Sequence, residues 1–404
     1  MRGLLKNRNY FLLIVGQIVS EFGNYLFVVA LPWYLYTRTG SKFVLAVAGV
    51  AETAPLMLGF LSGALIRNLN RRTVLAVIDT VRMVLFLVLG ALAIVHAPWF
   101  AFVSIVFVSQ LLSTAFLPAE AALFPSIIDP SDMQTAMGFS QSASGIAEFV
   151  GSLVGGTLLV IAGATSVFMI DGLTFGVSAA TVIALRVPSQ PTNESEGQPQ
   201  LYKEISEGLR FVWDRKFLRN LIMAAGVANM VLAPVELILT LWVKNQLHGP
   251  SLWLGYLTGS WFAGMVVGGM TLGWLGRMLP MRQILIGGFW LSGASMVSFG
   301  LFPGLKGDLI AMLLFGIAMA LLNGTFETIL FQTTPQESLT RVMGLVGTIT
   351  SMASPVGFVF IGAVVARFSI QTSIFSVAVV LVVCAIPFLS SVISPSLDME
   401  NSST

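Results

Sequence analysis

Eight carboxylates lie inside apolar segments long enough to cross a bilayer: Glu21, Glu52, Asp79, Glu120, Glu148, Asp171, Glu236 and Glu327. The same segments hold one basic residue, Arg82. An acid at the centre of a membrane helix costs roughly 2.5–3.5 kcal/mol even on lenient insertion scales. A chain that carries eight is expected to use several. Burial without a partner favours the neutral form of a carboxyl group, which can then exchange a proton near neutral pH. Coupling to a proton gradient requires that chemistry.

Depth along each helix, at 1.5 Å per residue, separates the acids. Glu21, Glu52, Glu148 and Glu236 fall near the middle third of their spans, with no basic residue at that depth. They are the candidates for coupling, although each could also hydrogen-bond within the bundle as a neutral group. Asn24 shares a helix face with Glu21 (i, i+3), and Asn229 precedes Glu236 by two turns (i, i+7). These pairs would bring a polar cluster to one cavity from each half of the chain. Glu120 and Glu327 fall near the inner interface, where capping or pairing with inner-loop basic residues is expected. Asp79 and Arg82, three residues apart, are expected to form an ion pair or part of a latch. Asp171 falls near the outer end of its span and is expected to bond a neighbouring backbone. Trp33, Tyr34 and Trp242 suit interfacial anchors. For Trp33 and Trp242, stacking on a flat or cationic substrate is the alternative.

The elements that position these residues are membrane helices. The 404 residues are 56% hydrophobic and 10% charged, where soluble domains carry about 25% charged residues. The net charge of +2 comes with no basic stripe outside short loops, so a nucleic-acid partner is not expected. Cys384 is the only cysteine, which excludes a disulfide framework or thiolate metal cluster. His96 and His248 sit in separate predicted loops, against a His-based metal site or triad. No G-x-x-x-x-G-K-[ST] motif occurs, so an ATPase is excluded at motif level. No enzyme, cofactor or metal is expected. Met1 to Asn9 are basic and lead into an apolar run too long for a signal-peptide core, without an A-x-A-like site, which reads as a retained first span.

Twelve candidate spans run near 10–36, 43–66, 73–95, 98–119, 133–162, 165–187, 218–245, 252–276, 282–302, 308–331, 341–367 and 371–393. With the N-terminus inside, 15 of the 21 Lys and Arg fall in inner segments, 5 in outer loops, and Arg82 within a span. That bias puts both termini in the cytoplasm, in a multi-pass membrane protein. Ser189 to Gln200 reads as a flexible linker. Tyr202, Ile205, Leu209 and Val212 then recur at helical spacing, which suits an amphipathic helix on the inner membrane face.

The two halves repeat. Trp33 and Gly40 match Trp242 and Gly249, and Gly63, Arg67 and Arg72 match Gly273, Arg277 and Arg282. Glu120-Ala-Ala-Leu-Phe124 matches Glu327-Thr-Ile-Leu-Phe331, and Gly151 and Gly156 match Gly357 and Gly362. The expected fold is an all-α membrane protein of two six-helix bundles related by a pseudo-twofold axis, residues 1–187 and 217–404, joined by a cytoplasmic linker over 188–216.

Gly16-Gln17, Ser20, Phe22-Gly23, Thr39-Gly40-Ser41, Phe116-Leu-Pro-Ala119 and Glu207-Gly-Leu-Arg-Phe-Val-Trp213 resemble the major facilitator superfamily, within it the bacterial efflux branch that includes macrolide and enterobactin exporters. The resemblance covers essentially the whole chain. The superfamily's loop motif, roughly G-x-L-x-D-R-x-G-R-K/R, reads here Gly63-Ala-Leu65-Ile-Arg67-Asn-Leu-Asn70-Arg71-Arg72. Its latching acid is replaced by Arg67. The span-five antiporter motif keeps its glycines as Gly151, Gly155 and Gly156 and loses its proline. Gln110 stands where the family has a span-four arginine linked to proton coupling.

The resemblance and the acids together imply a proton-coupled antiporter that exports amphipathic, neutral or cationic small molecules such as drugs. Its partners would be the substrate, protons and the lipid bilayer, and it would work as a monomer. A lipid or lipopeptide translocase and a dedicated siderophore or metallophore exporter are the alternatives. A membrane receptor or scaffold is disfavoured, because the linker is too short to house a signalling domain.

Overall fold

A computed structural model describes residues 7–59, Ser62, Ile66, 69–129, 132–186, 210–334 and 336–389. These residues are helical, with no strand among them. The helices are α1 (Arg8–Thr39), α2 (Lys42–Thr53), α3 (Arg71–Ile94), α4 (Trp99–Ile127), α5 (Met133–Ile161), α6 (Gly163–Ile183) and α7 (Lys216–Leu232). They continue with α8 (Val235–Asn245), α9 (Ser251–Met278), α10 (Met281–Leu301), α11 (Leu305–Thr333), α12 (Gln336–Arg367), α13 (Ile370–Cys384) and α14 (Ile386–Leu389). A 3-10 turn, Ala54–Leu58, prolongs α2.

Local chemistry sets the ends. Asn7 caps α1 by accepting from the N–H groups of Asn9 and Tyr10. Gly40 ends α1 at φ +60°, a left-handed backbone that suits glycine. Ser41 and Asn70 cap α2 and α3. Pro118 has no N–H to give the carbonyl of Thr114. The Ser62 hydroxyl donates to that carbonyl instead, at 2.7 Å. In a bilayer such a substitution is needed, because lipid satisfies no backbone group.

Ten helical segments among the described residues are long and apolar enough to cross a membrane, with Lys216–Asn245 counted as one. The expected spans near 43–66 and 252–276 are not among them. The first runs into residues outside the description. The second is the helix α9, whose seven glycines lower its hydropathy. Those glycines serve packing. A Cβ at Gly255 would stand 2.7 Å from the Ser152 carbonyl, and one at Gly268 would stand 2.6 Å from the Ile317 carbonyl. The span expected to run unbroken over 218–245 is interrupted. Pro234 donates no hydrogen bond, so α7 closes on Asn229 and α8 restarts at Val235. The linker over 189–200 lies outside the described residues, as does most of the expected surface helix. Its last turn, 210–214, is helical, with Arg210 and Asp214 paired at 4.0 Å on the surface.

Packing follows the repeat. α1 lies against α5 and α6, and α3 against α4 and α6; further along, α11 lies against α9 and α10, and α7 and α10 against α13. The main contacts between the first six helices and the rest are α5 with α9 and α2 with α12; α1 also touches α8 and α9, and α2 touches α8. The repeat-related glycines make both main contacts. A Cβ at Gly156 would meet Gly255 of α9, and one at Gly362 would meet Ala46 of α2. Lys42 Nζ also donates to the Val365 carbonyl at 2.8 Å, and Tyr36 bonds Asn245. These junctions lie toward the end of the molecule that holds Gly40 and Pro250.

Candidate functional site: a polar cavity among the first helices

A cavity of about 550 Å³ opens among α1–α5. Its walls carry Glu21, Asn24, Glu52, Asp79, Arg82 and Glu120, with Gln17, Gln110 and several serines between them. Each comes from the inward stripe of its helix: Gln17, Glu21 and Asn24 from α1, Asp79, Arg82 and Phe86 from α3, and Phe116 and Glu120 from α4.

Arg82 is the centre of the charged part. It is 8% exposed. Its Nη2 donates to Asn24 Oδ1 at 3.2 Å, its Nε to Ser109 Oγ at 3.2 Å, and its guanidinium lies 3.9 Å from the centroid of the Phe175 ring. Its charge acts on Asp171 first, then Asp79 and Glu21. The expected Asp79–Arg82 ion pair is not formed. Asp79 accepts from the Ser178 hydroxyl at 2.6 Å, while the arginine reaches across to α1 and α4. Two further expectations change with it. Glu21 has a cation within electrostatic reach, brought from α3 through Asn24. Ser109 adjoins Gln110, so the cation that α4 lacks there enters from the neighbouring helix.

Asp171 is closed inside the bundle. It lies eight residues past the start of α6, is fully buried, and accepts from Thr174 Oγ1 at 3.3 Å. Gly23 of α1 leaves room for it, since a Cβ there would collide with the Asp171 carboxyl. The span expected from near 165 begins two residues earlier, at Gly163.

The four central glutamates converge. Glu21, Glu148 and Glu236 all act on Tyr25, Glu21 acts on Glu148, and Glu52 acts on Glu236. All four are half-buried. Tyr25 was missed in the sequence. Its ring stands edge-on to Phe262 of α9 at 5.0 Å, and Gly151 of α5 lies against its Cβ. It therefore sits where the two parts of the chain meet. Its signal was its place one residue after Asn24 in a polar helix stretch. Glu236 occupies the first turn of α8, just after the helix break, where a carboxylate suits the free N–H groups. The break also removes the expected i, i+7 relation, and the Asn229 amide bonds back to the Ala225 carbonyl at 3.0 Å.

The remaining candidates separate. Trp242 is 0% exposed, donates to Asp308 Oδ2 at 2.9 Å, and packs on Phe299. It is neither an interfacial anchor nor a stacking surface. Asp308, absent from the sequence candidates because it begins a span, is its buried partner. Trp33 is half-buried with Lys244 Nζ 4.3 Å from its ring centroid. Gly151 and Gly155 lie against Phe22 and Leu26 of α1. Arg72 donates through Nε to the Val182 carbonyl at 3.2 Å and through Nη2 to that of Ile183, capping α6. Arg71 opens α3. Gly63 and Arg67 lie outside the described residues. Glu120 is 9% exposed with an unpartnered Oε1, whereas its repeat mate Glu327 is exposed. Among the described residues, neither makes a salt bridge to a basic group.

A bundle of membrane helices around a polar cavity, with a helix broken beside a central acid, defines a secondary transporter. The chain belongs to the transmembrane secretion effector family of the major facilitator superfamily, whose match covers residues 4–404. It is an efflux transporter of the major facilitator type. It is 24% identical over 355 residues to macrolide efflux protein A of Streptococcus pyogenes, covering 87% of each chain. It is also 24% identical over 377 residues to the multidrug efflux pump Tap of Mycolicibacterium fortuitum, covering 87% of this chain and 88% of that one. Its fold matches the nucleoside transporter NupG with a TM-score of 0.75 at 9% identity, covering 95% of this chain and 98% of that one. A bacterial homologue of the lysosomal transporter Spinster, in an inward-facing and unoccupied conformation, matches with a TM-score of 0.74 at 15% identity, covering 94% and 95%.

Proposed function

We propose that this chain exports amphipathic, neutral or cationic small molecules across a bacterial cell membrane in exchange for protons. The single observation that carries the reading is the convergence of Glu21, Glu148 and Glu236 on Tyr25, with Glu52 acting on Glu236. Protons entering from outside would neutralise these acids as substrate leaves. Among the described residues the cavity walls carry four acids and one arginine, and that arginine is already engaged, so they offer an anion no free cation. The names of the efflux relatives, a macrolide pump and a multidrug pump, favour the same breadth.

The working unit would be two six-helix bundles, residues 1–187 and 217–404, acting as one monomer with both termini cytoplasmic and the linker 188–216 inside. The repeat-related contacts of Gly156 with Gly255 and Gly362 with Ala46 support the pseudo-twofold arrangement and the count of twelve. With that orientation the junctions lie outside and the cavity faces the cytoplasm.

The test is transport in proteoliposomes with an imposed pH gradient, using ethidium and erythromycin as probes. Gradient-driven movement of probe is expected in the parent protein. Glu21→Gln, Glu148→Gln and Glu236→Gln should uncouple it, leaving downhill exchange. Transport indifferent to the gradient, or coupling unchanged in all three variants, sinks the proton part.

A further inference from the structure

We infer that Glu120 is the counter-charge of a subsite for an organic cation, built into the α1–α5 side of the cavity. The inference rests on the exporter reading and names a place and a chemical class within it. Glu120 Oε1 is buried with no hydrogen-bond partner, in a residue 9% exposed that lines the cavity. A carboxylate in that condition is costly unless something pairs with it.

Among the described residues, the charges nearby supply only repulsion. The charges that act on Glu120 are Glu21 and Asp79, both acids. Arg82, the one guanidinium in the walls, acts on Asp171, Asp79 and Glu21 and is tied to Asn24, Ser109 and the Phe175 ring. Glu120 is thus a wall carboxylate with a buried, unpartnered oxygen and no cation among the described residues beside it.

The shape agrees. A volume of about 550 Å³ falls in the range of roughly 300–1,000 Å³ that holds drug-sized ligands. Phe116 lies one turn before Glu120 on the same face, with Phe27 and Phe86 also in the walls. These rings provide an apolar surface for the body of the ligand and a π-face for its charge. The repeat mate Glu327 is exposed, so the buried state of Glu120 is not a feature both repeats need in order to fold.

Equilibrium binding to the purified full chain in detergent, with no gradient, tests this. The probes are tetraphenylphosphonium and neutral triphenylphosphine oxide. Glu120→Gln should weaken the cation about tenfold, a change of about 1.4 kcal/mol, and leave the neutral probe unchanged. Glu120→Asp keeps the charge and should stay within a few-fold of the parent. Glu327→Gln should alter neither probe. The subsite is overturned if the parent does not bind the cation, if Glu120→Gln leaves cation affinity intact, or if it weakens both probes alike. Proton coupling is read separately in vesicles. A chain that binds the cation through Glu120 yet ignores a pH gradient would keep the subsite and lose the antiport reading.

Discussion

Arg72 and Arg282 occupy matching places in the two repeats and do the same thing. Each donates to two carbonyls at the end of a later helix, Val182 and Ile183 in one case and Phe388 and Leu389 in the other. Glu120 and Glu327 also occupy matching places, and they differ. The first is buried at a polar cavity and the second is exposed. Trp33 and Trp242 differ again, one half-buried beside Lys244 and the other sealed against Asp308. The repeats have kept their packing hardware in common and divided their chemistry. The charged cluster of Glu21, Asp79, Arg82, Glu120 and Asp171 belongs to α1–α6, and α7–α13 contribute Glu236 and the buried Trp242–Asp308 pair within an apolar core.

The sharpest way to break that division is to remove the cation of the charged cluster. Arg82→Met would leave Asp79 and Asp171 buried without their neutralising neighbour and should cost about 3–5 kcal/mol. Adding Asp171→Asn should restore part of the loss, because one orphaned acid goes with it. Thermal unfolding in detergent measures both. A single variant as stable as the parent would mean that the acids do not need the arginine.

Next in size is the tryptophan pair. Trp242→Ala empties a sealed site and orphans Asp308, with an expected loss of about 3 kcal/mol. Trp33→Ala removes a half-buried ring and one cation–π contact, and should cost about 1 kcal/mol or less. Equal losses would mean that the two tryptophans are structural equivalents after all. The same thermal measurement decides it.

These contrasts mark what the sequence could and could not disclose. Apolar run length, loop charge and the repeat were enough for a helical membrane transporter, because they report how backbone polarity and lipid constrain a chain. Of the four central glutamates picked out by depth along each helix, Glu21 and Glu52 line the cavity and Glu148 and Glu236 do not. Partners were not legible. Arg82 was assigned to Asp79 because they are neighbours on one helix, yet its long side chain bonds α1 and α4 instead. Asp171 and Asp308 are hard to place from sequence because their helices begin two and three residues before the expected span starts near 165 and 308. The break at Pro234 was read through because apolar residues continue on both sides of it.

The glycine junctions should respond alike in both repeats. Gly156→Ala puts a methyl 2.9 Å from Gly255 Cα, and Gly362→Ala puts one 2.5 Å from Ala46 Cβ. Each should disfavour the closed junction by about 2 kcal/mol and slow efflux by more than tenfold. Gly138→Ala, where a Cβ meets nothing within 4 Å, should be silent in the same assay. A slow phenotype for one junction only would show that the two repeats do not share the closing motion.

The smallest effect tests the shared hardware itself. Arg72 and Arg282 are both half-buried, and each serves carbonyls in the last turn of a helix. A cation at a helix C-terminus and its charge-assisted bonds are together worth about 1 kcal/mol. Arg72→Gln and Arg282→Gln should therefore each lower stability by about that amount, and by nearly the same amount, whatever happens at the cavity. Their contacts are separate, so the double variant should lose the sum. If Arg72→Gln cost several times more than Arg282→Gln, the arginine would have a duty in the first repeat beyond capping, and packing and chemistry would no longer divide as cleanly as the two caps suggest.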